Sequence, residues 1–568
     1  MIRRTFLILV IVIVGIFLHV KGIDWGVPKD YRIDLVFGEI GILNDMVEPM
    51  LSTHMNLREM QIYYGAEYPP DYDTSKEMLL NIKGVKKKVS IELINSMRSY
   101  LLRSYGADEQ AVLSSLSKMN PSKMDFNPHF FEYGGVYLYL LGCFLKICSL
   151  FDMVELKSDI KYYFFYPGKM GDLYKFSRLF GAIFFIFSAI FFYFLCLKIT
   201  KDEFLSFLIS LLFVSTPGFA LWSHYLKPYT YGLFYVVCCL YFNFKYIDEK
   251  RVSWLVLSSC FAGFAMGSLL SYGFVILAVI CAIILFCIKS NEILKNIILC
   301  CASFVLAYLI TNPYVLISWH EFINEIHYIG SYWKNSASFE NLKYFSTVSL
   351  KYGLGLGIWL ISILYFFISL LNFDKRFLLV LLCLVPFFVY FGLNTGKWVH
   401  YAFIIYPFIF LVIAIGATLI NKKLSLMIFS FVFVWTFVFT LSHVNLFEGE
   451  NIRAVAGRWI NENIPARESV GLLEAPSPWR TPPFQYLKYN ILIGSPEKTM
   501  AQYYVISEYQ WVRGSSLLEM RKLFADYDIV KEFSKQPAFL GWKFTQRQDI
   551  PYDWCHPNPV ILIWKKRN

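Results

Sequence analysis

The chain has 568 residues, of which 57% are hydrophobic, 19% aromatic and only 17% charged, against about a quarter charged in soluble domains, so most of it must face lipid rather than water. The formal charge of +11 does not point to nucleic acid, because the basic residues stand at the ends of apolar runs rather than along one polar face. Eleven of the twelve cysteines lie in or beside apolar segments and only Cys555 sits in the polar tail, which argues against a disulfide framework and a Cys-based zinc site.

In chain order, Arg3 and Arg4 precede an apolar run at 5–20 that reads as a signal anchor. No convincing small-x-small cleavage site follows it, and Val20-Lys21-Gly22 is the alternative cleavage point. Ten further runs approach the length of a bilayer-crossing helix: 176–197, 204–219, 229–244, 254–270, 272–288, 297–310, 352–371, 377–391, 402–420 and 424–441. With a cytoplasmic N-terminus, the inside connections carry Lys198 and Lys201, then Lys245, Lys250 and Arg251, then Lys289 and Lys295, then Lys375 and Arg376, then Lys422 and Lys423. Each is short and basic, as the positive-inside rule requires. The run 136–151 is apolar enough to count as another span. Counting it would turn every basic cluster outside, so it is expected to lie at the outer membrane surface.

The predicted fold is therefore an α-helical polytopic membrane protein of about eleven transmembrane helices. Residues 1–444 form the membrane domain, with a large first extracytoplasmic loop at 21–175, and 445–568 form a small extracytoplasmic α/β domain. In that tail, 452–463 reads as a helix and 560–564 as a strand. No repeat of fixed period appears, which argues against a solenoid and an inverted-repeat transporter.

Four outward segments carry the residues suited to chemistry. In the first loop, Tyr105-Gly106-Ala107-Asp108-Glu109 is followed by Met119-Asn120-Pro121 and then by Asp125-Phe126-Asn127-Pro128-His129-Phe130-Phe131-Glu132-Tyr133. This order resembles the GT-C glycosyltransferases related to protein O-mannosyltransferases and lipid A aminoarabinose transferases, where an Asp-Glu pair precedes an Asn-Pro-His-Phe-like motif. The resemblance implies Asp108 as catalytic base and Glu109 as its companion, with Asn127, His129 and Tyr133 as further site candidates. One positioned carboxylate suffices to take the proton of an attacking hydroxyl. The plainer reading of Asp108-Glu109 is a helix N-cap followed by a first-turn acid.

Trp25-Gly26-Val27-Pro28 followed by Asp34 and Glu39 resembles the family's Gly-x-Pro element, which makes Asp34 the second candidate base. A long charged stretch separates the two elements here. Arg178 stands where the family commonly has an Arg and offers a rigid fork of donors to a carrier phosphate; its plainer role is snorkelling. Trp222-Ser223-His224-Tyr225-Leu226-Lys227-Pro228 resembles the family's His-x-x-x-Pro turn, with Tyr229 in place of the usual Asp. His224 and Lys227 are thereby implied as phosphate contacts, and a second acidic ligand is missing.

Thr311-Asn312-Pro313-Tyr314 with His320, Glu325 and His327 resembles the loop over the carrier site, and there Glu325 offers the missing acid. Glu321 and Glu325 one turn apart beside His327 leave room for a divalent metal, or form an ordinary solvated surface. Lys397-Trp398-Val399-His400-Tyr401 is similar to a late-helix motif whose cation meets the departing phosphate, which implies Lys397 and His400.

The function implied is a membrane glycosyltransferase of inverting mechanism. It takes a sugar from a polyprenyl-phosphate donor to a lipid, glycan or protein acceptor at the outer face of a bacterial inner membrane, without nucleic acid and with no certain cofactor. The absence of nucleotide-binding fingerprints agrees with a lipid donor. The rival readings are a lipid-glycan transporter, which predicts charges within the spans, and a polysaccharide polymerase or ligase, which predicts a large late loop rich in Arg. A purely structural envelope protein is the third.

Overall fold

The computed structural model describes residues 2–53, 76–333, 337–395, 397–512, 516–544 and 550–567. Part of the charged stretch between the Gly-x-Pro element and Asp108 lies outside these residues. After α1 (Ile2–Val20), the first loop folds into α2 (Tyr31–Phe37), a hairpin of β1 (Glu77–Ile82) and β2 (Val85–Ser90), α3 (Ile91–Leu102), α4 (Glu109–Lys118) and α5 (Gly135–Leu150). The helical bundle continues through α6 (Pro167–Thr200), α7 (Glu203–Val214), α8 (Pro217–Trp222), α9 (Pro228–Glu249), α10 (Val252–Ser268), α11 (Ile276–Phe286) and α12 (Ile293–Thr311). Then come α13 (Trp319–Trp333), α14 (Leu356–Leu371), α15 (Lys375–Thr395), α16 (Tyr406–Ala417) and α17 (Lys422–Val444).

Each of the predicted spans is helical. Among the described residues, six helices are long and apolar enough to cross a membrane, and a seventh crosses if the 116° bend before α14 lies within one span. That bend falls at Gly355, whose φ of 80° is a left-handed turn open to glycine. The shortfall from eleven has local causes. Pro217 has no N–H to continue α7, so the run 204–219 breaks into α7 and α8. A 3-10 turn at Leu270–Val275 shortens the run 272–288 to α11. The run 254–270 makes the 17-residue α10. The run 229–244 becomes α9, in which tyrosines and the polar Thr230, Asn243 and Lys245 dilute the apolar residues.

The basic connections gather at one end of the bundle. Arg4 pairs with Glu203 at 2.7 Å, Arg376 with Asp248 at 3.0 Å and Lys198 with the same Asp248 at 3.5 Å, while Lys422 pairs with Asp202. At the other end the first loop meets the tail: Tyr486 Oη donates to Tyr100 Oη at 2.8 Å, and Lys87 Nζ to the Leu487 carbonyl at 2.6 Å. His19 ties α1 into this end, its ring nitrogens 2.6 Å from Ser223 Oγ and 2.8 Å from the Val214 carbonyl.

The run 136–151, as α5, begins and ends at the tail side. Gly135 N donates to Asn312 Oδ1 at 2.6 Å beside the last turn of α12. Five residues after Leu150, Glu155 pairs with Lys169 in the first turn of α6 at 2.6 Å. Five residues reach at most about 18 Å, too little to recross a hydrocarbon core of about 30 Å. The helix therefore lies across the bundle, with Tyr137 and Phe144 both against Phe180 at 6.5 and 5.2 Å.

The tail opens with α18 (Ile452–Asn463), capped by Asn451, and forms a five-stranded mixed sheet. Its strands are β3 (Ser469–Leu472), β4 (Asn490–Ile493), β5 (Tyr503–Ser507), β6 (Tyr527–Phe533) and β7 (Ile561–Lys566), in the order β4-β3-β5-β7-β6. β3 runs parallel to β4 and β5, whereas β7 is antiparallel to β5 and β6. Fully buried β5 is the centre of the sheet, as expected of a continuous apolar strand covered on both faces.

Candidate functional site

The site is built where four chain segments meet at the tail end of the bundle: the turn after α1, the start of α4, the turn between α8 and α9, and the 3-10 turn Val399–Ile405 before α16. Three buried arginines brace this region by donating to backbone carbonyls of the first loop and the tail. Arg32 reaches the carbonyls of Tyr100, Arg103, Gly26 and Val27 at 2.7–3.0 Å. Gly26, at φ 57°, lies where a side chain would strike Tyr105, and only glycine takes that turn without strain. Arg453 in α18 likewise donates to Trp479 and His556 carbonyls at 2.7 and 2.9 Å. Its guanidinium and that of Arg32 both stack on Tyr105.

Arg178 is the third. Its Nε and Nη2 grip both oxygens of Glu109 at 2.9 and 2.7 Å, and its Nη1 donates to the Ile23 and Trp25 carbonyls at 2.9 and 2.7 Å. Glu109 also accepts from Ser104 Oγ and from Leu226 N at 2.5 Å. Both side chains are fully buried. This corrects two expectations: Arg178, fully buried with four of its five N–H groups engaged, is not turned toward a carrier phosphate, and Glu109 has no oxygen left to assist a base. Together they are the strut that holds the α4 start against α6 and the turn before α9.

His224 is corrected in the same way. Its Nδ1 and Nε2 sit 2.7 and 2.8 Å from the carbonyls of Ala220 and Lys21, and its ring stacks on Phe447. Burial pushes it down to about 4, so it clips the turn in neutral form and turns no nitrogen toward a ligand.

Asp108 is different. It occupies the N-cap position of α4 with φ 61° and makes no capping hydrogen bond, so the plain helix-cap reading fails. The left-handed backbone, which Asp tolerates better than most residues, turns the carboxylate outward. Its side chain is 70% exposed and stands 3.5 Å from the 8%-exposed Lys227 ammonium. Lys227 in turn lies over the Trp222 ring. Trp222 packs against His400 at a tilt of 37° with centroids 3.7 Å apart, and His400 packs on Tyr401 and Tyr229. The Tyr401 hydroxyl lies in the field of Glu132, Asp108 and Asp553. Asp108, Glu132, Lys227, Tyr229, His400 and Tyr401 thus stand around one polar site beside packed aromatic rings. Tyr133 borders it, edge-on to Tyr229 at 6.5 Å.

The rest of the 127–133 motif is bound to α13 instead. His129 Nδ1 is 2.8 Å from Glu321 Oε2, and Asn127 Nδ2 donates to Ser318 Oγ at 3.0 Å. Glu325, 1% exposed, accepts from Phe131 N and Glu132 N at 2.6 and 3.2 Å. Glu325 is therefore no substitute acid; it holds the backbone that presents Glu132. His327 is exposed, and among the described residues no three His, Cys, Asp or Glu side chains converge. The Glu321, Glu325 and His327 set does not fit a resident divalent metal, since both carboxylates are engaged.

Asp34 lies on the exposed face of α2, opposite the buried Arg32, near the tail residue Gln485. Lys397 is exposed in the turn before the 3-10 segment. Sequence reasoning missed three residues. Glu132 stood unremarked within its motif. Arg103, held low by burial next to Tyr174 and Asp108 with Nε lacking an acceptor, follows no motif. Asp553 is 153 residues from its partner His400.

No family model matches the sequence, and no curated protein matches it. Among solved structures, the chain is similar to ArnT from Cupriavidus metallidurans bound to undecaprenyl phosphate, with 12% identity, a TM-score of 0.44 and coverage of 82% of this chain and 95% of that one. It is also similar to the apo state of ArnT from Cupriavidus metallidurans, at 11% identity and a TM-score of 0.42, over 81% and 93% of the two chains.

Proposed function

We propose that the protein is an inverting membrane glycosyltransferase. It moves a sugar from a polyprenyl-phosphate donor to a lipid, glycan or protein acceptor at the outer face of a bacterial inner membrane, the N-terminus being cytoplasmic and the tail periplasmic. The observation that carries this reading is the meeting of an outward-turned acid, Asp108, with a buried cation, Lys227, over the Trp222 ring that packs against His400. The motif order of the first loop supports it.

In the mechanism, the acceptor hydroxyl attacks the anomeric carbon while Asp108 takes its proton. The bond from that carbon to the phosphate oxygen breaks, and the electron pair leaves with polyprenyl phosphate. A single displacement inverts the anomeric centre. The new phosphate charge falls to fixed donors, which act most strongly in a dehydrated site: Lys227 and His400, with Arg103 and Lys397 at the rim. Glu132, across Tyr401 from Asp108, orients sugar hydroxyls. Asp34, on the outer face of α2, has no such neighbours, and Asp108 is the base.

The test is a panel of radiolabelled polyprenyl-phosphate sugars given to membranes containing the protein, with the anomeric configuration of any product determined. Consumption of one donor with inverted product supports the reading. No consumption of any donor in the presence of native acceptors, or a product of retained configuration, overturns it.

A further inference from the structure

The tail carries a buried carboxylate that the mechanism above leaves unused. Asp553, 2% exposed, follows a short 3-10 turn start at Tyr552 and reaches out of the tail into the membrane domain. Its Oδ2 lies 3.1 Å from His400 Nδ1 and accepts from Val399 N at 3.1 Å. His400 is wedged between Trp222 and Tyr401, tilted 37° to each with ring centroids at 3.7 and 4.3 Å, and Tyr229 stands edge-on at 4.5 Å. That packing fixes the ring, and with Nδ1 on Asp553 the opposite nitrogen, Nε2, has no hydrogen-bond partner among the described residues. The tail is already docked without this contact, through Arg453 over the Tyr105 ring, Asn461 Nδ2 on the Leu35 carbonyl and the Tyr100–Tyr486 pair. A buried acid costs several kcal/mol of desolvation, so its presence beside an imidazole at the site calls for a chemical use.

We propose that Asp553 is a positioning residue for His400, the pair holding one proton between Oδ2 and Nδ1 so that Nε2–H faces the site as a donor to the departing phosphate. This inference rests on the glycosyl-transfer reading. As the sugar–oxygen bond breaks, the phosphate gains one negative charge. The shared proton then moves from Asp553 onto Nδ1, leaving an imidazolium against the phosphate and a carboxylate behind it. No proton is exchanged with solvent, and the proton that Asp108 takes from the acceptor is a separate one. When polyprenyl phosphate leaves, the shared proton returns.

Burial holds Asp553 at about 7, so the pair keeps its proton into the neutral range. Lys227 and His556 face His400. Tyr225, Tyr401, Tyr406 and Cys555 face Asp553. The tail thereby completes the membrane-domain site, and a domain that reads in sequence as an appendage becomes part of leaving-group stabilisation.

The experiment measures kcat and KM for the donor across pH 5.5–9 for full-length wild type, Asp553→Asn, His400→Gln and the double variant. Asp108→Asn serves as the control for the underlying reading. Expected for Asp553→Asn are a fall in kcat of about 10- to 100-fold, the usual effect of removing a partner that orients a functional His, with KM within about threefold, and a changed alkaline limb of the kcat profile. Asp553→Glu restores part of the loss, and Asp553→Asn adds nothing in the His400→Gln background, as a shared function requires. A profile for Asp553→Asn parallel to wild type, or losses that multiply in the double variant, overturns the proposal. Should Asp553→Asn not fold, Asp553→Glu takes its place in the same cycle with His400→Gln. No donor turnover by wild type overturns the transfer reading itself, which separates that failure from a failure of the dyad.

Discussion

Glu109 and Arg178 lie within a motif and at a family-like position, and both are structural. Sequence shows that an acid and a base are present; it does not show that they face each other, because the partners are 69 residues apart. Removing one partner leaves the other charge buried and alone, so Glu109→Ala is expected to cost about 3–5 kcal/mol, read as a lowered unfolding midpoint in detergent. Asp108→Asn, at an exposed position, leaves that midpoint unchanged. His224 makes a pH-dependent contribution of definite sign. Its folded value of about 4 lies below the ordinary 6.5, so between those values the unfolded chain binds more protons and stability falls as pH drops. Thermal unfolding from pH 7 to pH 4 is expected to show this loss in wild type and a flatter slope in His224→Phe.

At the scale of elements, the apolar runs were legible because their length and composition are local properties. Their interruptions were less so: the breaks at Pro217 and Gly355 shorten helices without lowering apolarity. The expected surface placement of α5 came from counting basic loops, and the Glu155–Lys169 pair brings the chain back to the tail side of the bundle after the helix. Single cysteines at Lys123→Cys and Lys157→Cys, flanking α5, are expected to react with an impermeant maleimide from the same side of the membrane. Reaction from opposite sides would make α5 a span. The grip of α13 on the 127–133 segment was not legible, since Glu321 and Glu325 read as a solvated face or a metal pair. Glu325→Ala leaves two backbone N–H groups without acceptors, each worth about 1–3 kcal/mol, and is expected to lower kcat by displacing Glu132 while binding no less metal than wild type.

For the whole molecule, the two ends of the bundle differ in kind. One gathers short basic connections around Asp202, Glu203 and Asp248; the other carries the folded first loop and the tail, joined through the Tyr100–Tyr486 and Lys87–Leu487 hydrogen bonds and Arg453 over the Tyr105 ring. That polarity was readable from charge alone. The joint was not, because it is made by side chains hundreds of residues apart, and it is the joint that brings Asp553 to His400. The central claim is that the site at this end transfers sugar with Asp108 as base. It is tested most directly by donor consumption in membranes containing wild type, Asp108→Asn or Asp34→Asn at equal protein levels. The account predicts consumption by wild type and by Asp34→Asn, and a loss of about 10²–10⁴-fold in Asp108→Asn. Loss in Asp34→Asn with full activity in Asp108→Asn would contradict it.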